Sequence, residues 1–395
     1  MKKQRLVSRL LFCLAFCLVL FSGSVFANAV QQVALNKSVT AVGTSRAADV
    51  YQINVTSQGK LNVNLRHENL FSTETYWTVE VLAADLKTVI QTFHSIGTDE
   101  NLIGPSLGLS PGTYYIKVWS RKDCGHKYSD KPYTLTPKFV KSKNWEVEYN
   151  SKTKVGNDLQ GGAKKISLGK KENGTISDSN DEDFYKVDVK KDGCITLEFK
   201  HKNVYDDEVC WDIELVNAKT KTICSISSKG TKKTVDTPKI GVTKGVYYIK
   251  VKSGRNCYTA DYSITAKFVK TNNWEKEYTD KGSKTNNSMS NANKISMNQK
   301  VQGTISNDSD VDYYKVKVPY SKRVRVCFAH DYKPVKTKYW KVQVYDSKLK
   351  EVLVFESRGT NKNMSRSAEL KKGTYFVKIS RANKLRTKTY SLTIK

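Results

Sequence analysis

One phrase is written three times in this chain: Gly-Thr-Tyr-Tyr-Ile-Lys-Val at 112–118, Gly-Val-Tyr-Tyr-Ile-Lys-Val at 245–251 and Gly-Thr-Tyr-Phe-Val-Lys-Ile at 373–379. Ahead of each copy an Asp is followed 18 residues later by a His and 10 residues after that by a Trp: Asp49, His67, Trp77; Asp183, His201, Trp211; Asp312, His330, Trp340. Spacing kept over that length, three times, describes a tandem array. The period exceeds the roughly 20–50 residues of solenoid repeats, so each copy is expected to close a core of its own rather than form one layer of a stack.

Within a copy the apolar residues alternate. Tyr185, Val187 and Val189 point one way and Phe184, Lys186 and Asp188 the other; Ile195, Leu197 and Phe199 repeat the pattern, as do Tyr247, Ile249 and Val251. Period-two alternation marks half-buried strands, and no helical period competes with it in the chain after residue 27. The phrase Phe-Val-Lys-Ser-Lys-Asn-Trp-Glu-Val-Glu-Tyr at 139–149 returns as Phe-Val-Lys-Thr-Asn-Asn-Trp-Glu-Lys-Glu-Tyr at 268–278 and marks boundaries. The expected fold is all-β: three tandem antiparallel jelly-roll-like β-sandwich domains, 30–143, 144–272 and 273–395, each of about eight strands. The polar stretches 150–163 and 279–291 read either as linkers or as ordered leading segments.

Residues 1–27 read as a signal peptide, with Lys2, Lys3, Arg5 and Arg9 ahead of an apolar run from Leu10 to Phe21 and small residues at Val25 and Ala27. The expectation is an exported protein, extracellular or retained at the cell wall, with no transmembrane anchor in the mature chain. Removing the four signal-region cations lowers the formal charge from +29 to +25. Outside a cell such a charge favours wall polymers, acidic glycans or other anionic partners without selecting one. No feature beyond charge points to a specific nucleic acid.

The string Glu-x-Glu-Tyr, an Asn-rich segment, Gly-Thr-Ile-Ser, an acidic cluster ending Asp-Phe-Tyr or Asp-Tyr-Tyr, and the final Gly-x-Tyr-Tyr-Ile-Lys-Val resembles the bacterial pre-peptidase C-terminal (PPC) domain. That family includes the collagen-binding modules of secreted clostridial collagenases. The resemblance implies a jelly-roll-like sandwich, an accessory rather than catalytic role, and in some members calcium held between the leading segment and the acidic loop.

Calcium takes six to eight oxygen ligands, which closely spaced carboxylates supply. Repeat two offers Glu146 and Glu148 with Asp178, Asp181 and Asp183; repeat three offers Glu275 and Glu277 with Asp308, Asp310 and Asp312; repeat one lacks both halves. A calcium site in repeats two and three stands beside the simpler reading of a solvated acidic turn whose last Asp caps a strand. His67, His201 and His330 share strand parity with core residues and read as satisfied histidines at the core rim, and Trp77, Trp211 and Trp340 as core anchors. Tyr115, Lys117, Tyr248, Lys250, Phe376 and Lys378 fall on the opposite parity. They form a candidate ligand-binding ridge for an extracellular polysaccharide or protein polymer, unless a second layer covers that face.

No His-Glu-x-x-His or P-loop pattern is present, and no catalytic residue is assigned. The reading is therefore a non-catalytic binding protein, with a structural spacer or docking subunit for a secreted enzyme as the alternative. Cys13 and Cys17 leave with the signal. Cys124, Cys194, Cys210, Cys224, Cys257 and Cys327 remain, and the expectation is at most one bridge, in repeat two and involving Cys257, against the rival that all stay reduced.

Overall fold

The structure, a computed structural model, describes residues 29–44, 47–120, 127–255, 259–279, 284–307, 309–334, 336–382 and 389–395. The signal stretch, Cys124, Cys257 and Asp308 lie outside the described residues.

Each repeat is a pair of sheets packed face to face. In repeat two the first sheet runs Lys164–Ile166, Glu182–Val189, Gly245–Ser253, Val209–Asn217, Thr222–Lys229 in spatial order. The second runs Lys171–Thr175, Asp261–Lys270, Gly193–His201, Thr234–Asp236, with Ile240–Val242 also paired to Gly193–His201. Repeats one and three follow the same order, save that a single strand, Asn363–Leu370, replaces the two short ones in repeat three. One pair per repeat departs from the antiparallel expectation: Lys164–Ile166 lies parallel to Glu182–Val189, and its counterparts in the other repeats do the same. The chain crosses to the opposite sheet between these two strands, and that crossover returns it in the same direction.

The parity read from sequence is the parity of burial. Glu182–Val189 alternates between half-exposed and buried, and Tyr247, Ile249 and Val251 face inward while Tyr248 and Lys250 face outward. Each repeat closes its own apolar cluster around its Trp, which is fully or almost fully buried in all three. Truncating such a residue to Ala typically costs about 3–5 kcal/mol.

The Asp–His–Trp spacing has a structural cause. The His201 ring lies on Trp211 with centroids 4.1 Å apart, its Nε2 is 2.9 Å from Ser228 Oγ and its Nδ1 is 2.6 Å from the Lys202 carbonyl. His67 with Trp77 and Ser95, and His330 with Trp340 and Ser357, repeat the arrangement. A histidine ending one strand is thus clamped by the tryptophan at the third position of the next. Both ring nitrogens are engaged, which leaves none for a metal or for proton transfer.

Consecutive repeats are joined by a shared segment. Trp145 bridges Asn173 of repeat two, and Tyr149 bridges Leu109 of repeat one. Glu146 N donates to Asn173 O at 2.9 Å and Glu148 N to Gly108 O at 2.9 Å, so alternate amides of one segment serve different repeats. Tyr149 is buried in the core cluster of repeat one, with Tyr114 edge-on at 6.4 Å. Lys60 of repeat one pairs with Asp261 of repeat two at 3.0 Å. At the second junction Trp274 bridges Gln302 as Trp145 bridges Asn173, Glu275 N donates to Gln302 O at 2.8 Å, and Ser306 Oγ of repeat three donates to Ile223 O of repeat two at 3.3 Å. Among the described residues no helix is long and apolar enough to cross a membrane.

Candidate metal centres and the outer sheet face

The shared segment delivers Glu146 and Glu148 to the start of the strand that carries Asp183. One carboxylate oxygen each from Glu146, Glu148 and Asp183 lies within 4.8 Å of the others, and so do one each from Glu148, Asp158 and Asp181. Because Glu148 belongs to both groups, five carboxylates form one cluster. In repeat three Glu275, Glu277 and Asp312 form the corresponding triad, with Asp310 buried alongside.

The Gly-Thr-Ile-Ser motif makes room for this cluster and supplies its donors. A Cβ on Gly174 would stand 2.3 Å from Glu146 Oε2, and one on Gly303 would stand 2.7 Å from Glu275 Oε2, so only glycine admits the glutamate there. Thr175 N donates to Glu146 Oε1 at 2.8 Å and Ser177 N to Asp181 Oδ2 at 2.5 Å. Thr304 N donates to Glu275 Oε1 at 2.5 Å, and Ser306 N donates to Asp310. Below the cluster sits a tyrosine pair. Tyr262 OH donates to Asp183 Oδ2 at 2.5 Å and lies 2.8 Å from Tyr185 OH; Tyr390 OH donates to Asp312 Oδ2 at 2.5 Å and lies 2.7 Å from Tyr314 OH.

Crowded, buried carboxyl groups hold their protons. Burial first, and neighbouring carboxylates second, push Glu146, Glu148, Glu275 and Glu277 well above the usual range. The same two causes raise Asp181 to about 9 and Asp312 to about 8, while burial raises Asp183 and Asp310 to about 6 each. Yet Glu146 Oε2, Asp181 Oδ1, Asn157 Oδ1 and Glu277 Oε2 are buried without a hydrogen-bond partner. Unpartnered buried oxygens are costly. An all-oxygen set with free lone pairs fits a hard cation such as calcium, for which Glu146, Glu148, Asp158, Asp181 and Asp183 would be the ligands in one site and Glu275, Glu277, Asp310 and Asp312 in the other. A bound ion would supply the positive charge the cluster lacks.

One predicted ligand falls elsewhere and a second lies outside the described residues. Asp178 is exposed and accepts a hydrogen bond from Asn180 N at 2.7 Å within its own turn, and Asp308 is not described. Sequence reasoning missed three residues of the polar stretches, Asn157, Asp158 and Asn286. Asn157 donates to Asp183 Oδ1, Asn286 donates to Asp312 Oδ1 at 2.8 Å, and Asp158 joins the carboxylates. Asn287 stands where repeat two has Asp158, so the third repeat carries one carboxylate fewer at this place. The available signal was the Asn-Asp and Asn-Asn pairs, each with its first Asn 26 residues before the last Asp of the acidic loop.

In repeat one Asp49 keeps the tyrosine contact, with Tyr133 OH donating to Asp49 Oδ2 at 2.7 Å and Tyr51 OH 2.7 Å from Tyr133 OH. Ala47 replaces Asp181, and Ala41, which pairs with Tyr133 as Gly174 pairs with Tyr262, puts a methyl where the glutamate would lie.

The predicted ridge residues are half-buried on the outer face of the first sheet. Their surroundings differ by repeat. Lys117 pairs with Glu80 at 2.9 Å; Lys250 pairs with Glu182 at 2.7 Å, flanked by Lys252 with Glu214 at 2.9 Å and Lys165 with Asp188 at 2.8 Å. In repeat three Lys294, Lys315, Lys317, Lys341 and Lys378 share the face and make no salt bridge among the described residues. Tyr313, Tyr345 and Phe376 lie between them, with Lys315 Nζ 5.6 Å from the Phe376 ring centroid and Lys378 Nζ 5.8 Å from that of Tyr313.

One Gly-x-Ser-x-Gly string does occur, Gly104-Pro105-Ser106-Leu107-Gly108. It joins two short strands rather than a strand to a helix, and Ser106 Oγ accepts from Asn62 Nδ2 at 3.0 Å, so it is not a nucleophile elbow. Of the cysteines, Cys194, Cys210, Cys224 and Cys327 are free thiols; the bridge expected through Cys257 lies outside the described residues.

No protein-family model matches the chain, and no curated protein matches it. Among solved structures, the pre-peptidase C-terminal domain of a collagenase from Bacillus anthracis aligns over 26% of this chain and 94% of its own, at 15% identity and a TM-score of 0.23. The M60 catalytic domain of Clostridium perfringens ZmpB with its two CBM51 domains aligns over 91% of this chain and 34% of its own, at 6% identity and a TM-score of 0.20. The CUB1-EGF-CUB2 region of human MASP-1/3 aligns over 56% and 96%, at 11% identity and a TM-score of 0.18. These are distant likenesses.

Proposed function

We propose that the chain is an exported, non-catalytic binding protein. Its second and third β-sandwiches each hold calcium, and its third engages an anionic extracellular polymer. The observation that supports this most is the outer face of repeat three, where five lysines and three aromatic rings share one sheet surface with no carboxylate paired to those lysines among the described residues. The equivalent lysines Lys117 and Lys250 are neutralised by Glu80 and Glu182. Paired charges project little field, whereas unpaired ones attract an anionic chain over about 8 Å at physiological salt. Aromatic faces beside them add contact area.

The test is retention on dextran sulfate beads. Replacing Lys315, Lys317, Lys341 and Lys378 by Gln is expected to lower retention at least 10-fold and to flatten its dependence on salt. Replacing Lys117 and Lys250 by Gln is expected to change it little, and equal losses from the two sets would overturn the assignment to repeat three. The continuous junctions favour one other reading, a stiff spacer without a ligand, for which no set would matter.

A further inference from the structure

The two most exposed large apolar side chains of the described residues are aromatic, and they occupy equivalent places: Phe71 is 89% exposed and Tyr205 87% exposed, each four residues after the clamped histidine of its repeat. Both sit in the left-handed region, at φ +49° and +59°. A bulky residue held there is uncommon and persists only where surrounding contacts enforce it.

The enforcing contacts are the same in both repeats. Asn69 Oδ1 accepts from Phe71 N at 2.7 Å, and Asn203 Oδ1 accepts from Tyr205 N at 2.7 Å. The preceding aliphatic residue anchors the loop: Leu70 N donates to Gly97 O at 2.8 Å and Val204 N to Gly230 O at 3.1 Å, with both side chains packed on the core of their own repeat. A Cβ on Gly97 or Gly230 would press on that anchor, at 3.1 Å from Leu70 Cβ and 2.5 Å from Val204 Cγ2. Two sequences, His-Glu-Asn-Leu-Phe and His-Lys-Asn-Val-Tyr, therefore build one device that turns an aromatic ring into solvent. Repeat three keeps the anchor bond, Lys333 N to Gly359 O at 2.8 Å, but reads His-Asp-Tyr-Lys-Pro, and proline cannot take a positive φ.

The loops that carry the rings also carry ion-paired carboxylates two or three residues from each ring in sequence. Glu68 pairs with Lys131 at 3.1 Å and Glu74 with Lys127 at 3.4 Å in the loop of Phe71; Asp207 pairs with Lys229 at 3.3 Å and Glu208 with Arg255 at 3.3 Å in that of Tyr205. A lone ring on a loop of ion-paired carboxylates is unsuited to a bilayer, which takes clustered apolar side chains and unpaired cations. It suits a ligand with one flat apolar face and a rim of hydroxyl groups that both donate and accept. We infer that Phe71 and Tyr205 are stacking platforms for the pyranose rings of an uncharged polysaccharide, a contact separate from the lysine face of repeat three.

The full-length protein and its Phe71→Ala, Tyr205→Ala and double variants are to be compared on insoluble cellulose, chitin and mannan at 0.5 M NaCl, where the lysine face is screened. Retention of the unaltered protein on at least one matrix is expected, with a loss of about 10-fold for each single variant. The double variant should lose about 100-fold or more, because tandem display multiplies weak sites. Tyr205→Phe should bind as the parent does. Melting temperatures should stay level, since rings this exposed contribute little packing. No retention on any of the three matrices, or equal retention by parent and double variant, overturns the proposal. Loss of binding only to phosphatidylcholine–phosphatidylglycerol vesicles, run in parallel, also overturns it and makes the rings a membrane contact. Because salt removes the lysine contribution, failure here leaves the dextran sulfate result standing, and the reverse holds.

Discussion

Repeats one and two place the same aspartate in the same tyrosine contact and differ in everything above it. Asp49 accepts from Tyr133 beneath Ala47 and Ala41, whereas Asp183 accepts from Tyr262 beneath four further carboxylates. The Asp–Tyr–Tyr chain is therefore a part of the fold, present with or without the cluster. The cluster is an addition that the sandwich does without in repeat one. Since burying like charges costs several kcal/mol per ion unless something compensates, the cluster either keeps its protons or could hold a cation as counter-ion.

That contrast is most sharply tested by pH. A carboxyl raised above its ordinary value binds a proton in the folded state that the unfolded chain has released, so its stabilising contribution is complete below about pH 4 and is lost as pH rises through the raised value. With Asp183 and Asp310 at about 6, Asp312 at about 8 and Asp181 at about 9, the window is roughly pH 4 to 9. In chelator, hydrogen exchange followed repeat by repeat should show repeats two and three losing a few kcal/mol across that window while repeat one stays level. A parallel decline in repeat one would erase the distinction.

Calcium should act next in size. At a hundredfold excess over Kd a single bound ion stabilises by about 2.7 kcal/mol, confined to repeats two and three. Glu146→Gln should abolish the response of repeat two and leave that of repeat three. A smaller change sharpens the comparison further: Asp310→Ala copies the alanine of repeat one, and metal-free protein carrying it should gain about 1–2 kcal/mol at pH 8, where Asp310, raised only to about 6, is a buried, uncompensated carboxylate. Asp181→Ala, at a carboxyl raised to about 9 and still protonated there, should change stability less. Destabilisation measured by urea titration would show instead that these aspartates are structural.

Strand parity, the buried Trp and the His at the rim were legible in the sequence because period-two alternation and a fixed spacing are local signals. Glu146, Glu148, Asp181 and Asp183 were legible because an oxygen cluster needs closely spaced acids. Asp158 was not, since in a polar segment without periodicity the one sign of which side chain turns inward is the spacing to the acidic loop that Asn157 shares with Asn286. Asp178 misled for the related reason that, in a loop, proximity in sequence does not set direction; its carboxylate closes a local turn instead. The neutralisation of Lys117 and Lys250 was hidden too, because Glu80 lies directly opposite Lys117 and Glu182 diagonally across from Lys250 on a neighbouring strand, and only register brings them together.

The placement of Tyr149 has a consequence for how such a chain is assembled. The last aromatic side chain of the first hydrophobic cluster lies beyond that repeat's final strand, on the segment that starts the next repeat. A nascent chain emerging amino-terminus first, at about 5–20 residues per second, cannot finish its first sandwich until the second has begun to appear. Truncation just before residue 144 would leave a vacancy where that ring belongs. For this first unit maturation thus runs in one direction, sealed by its successor, so a product stalled or clipped there exposes its defect at the carboxyl end.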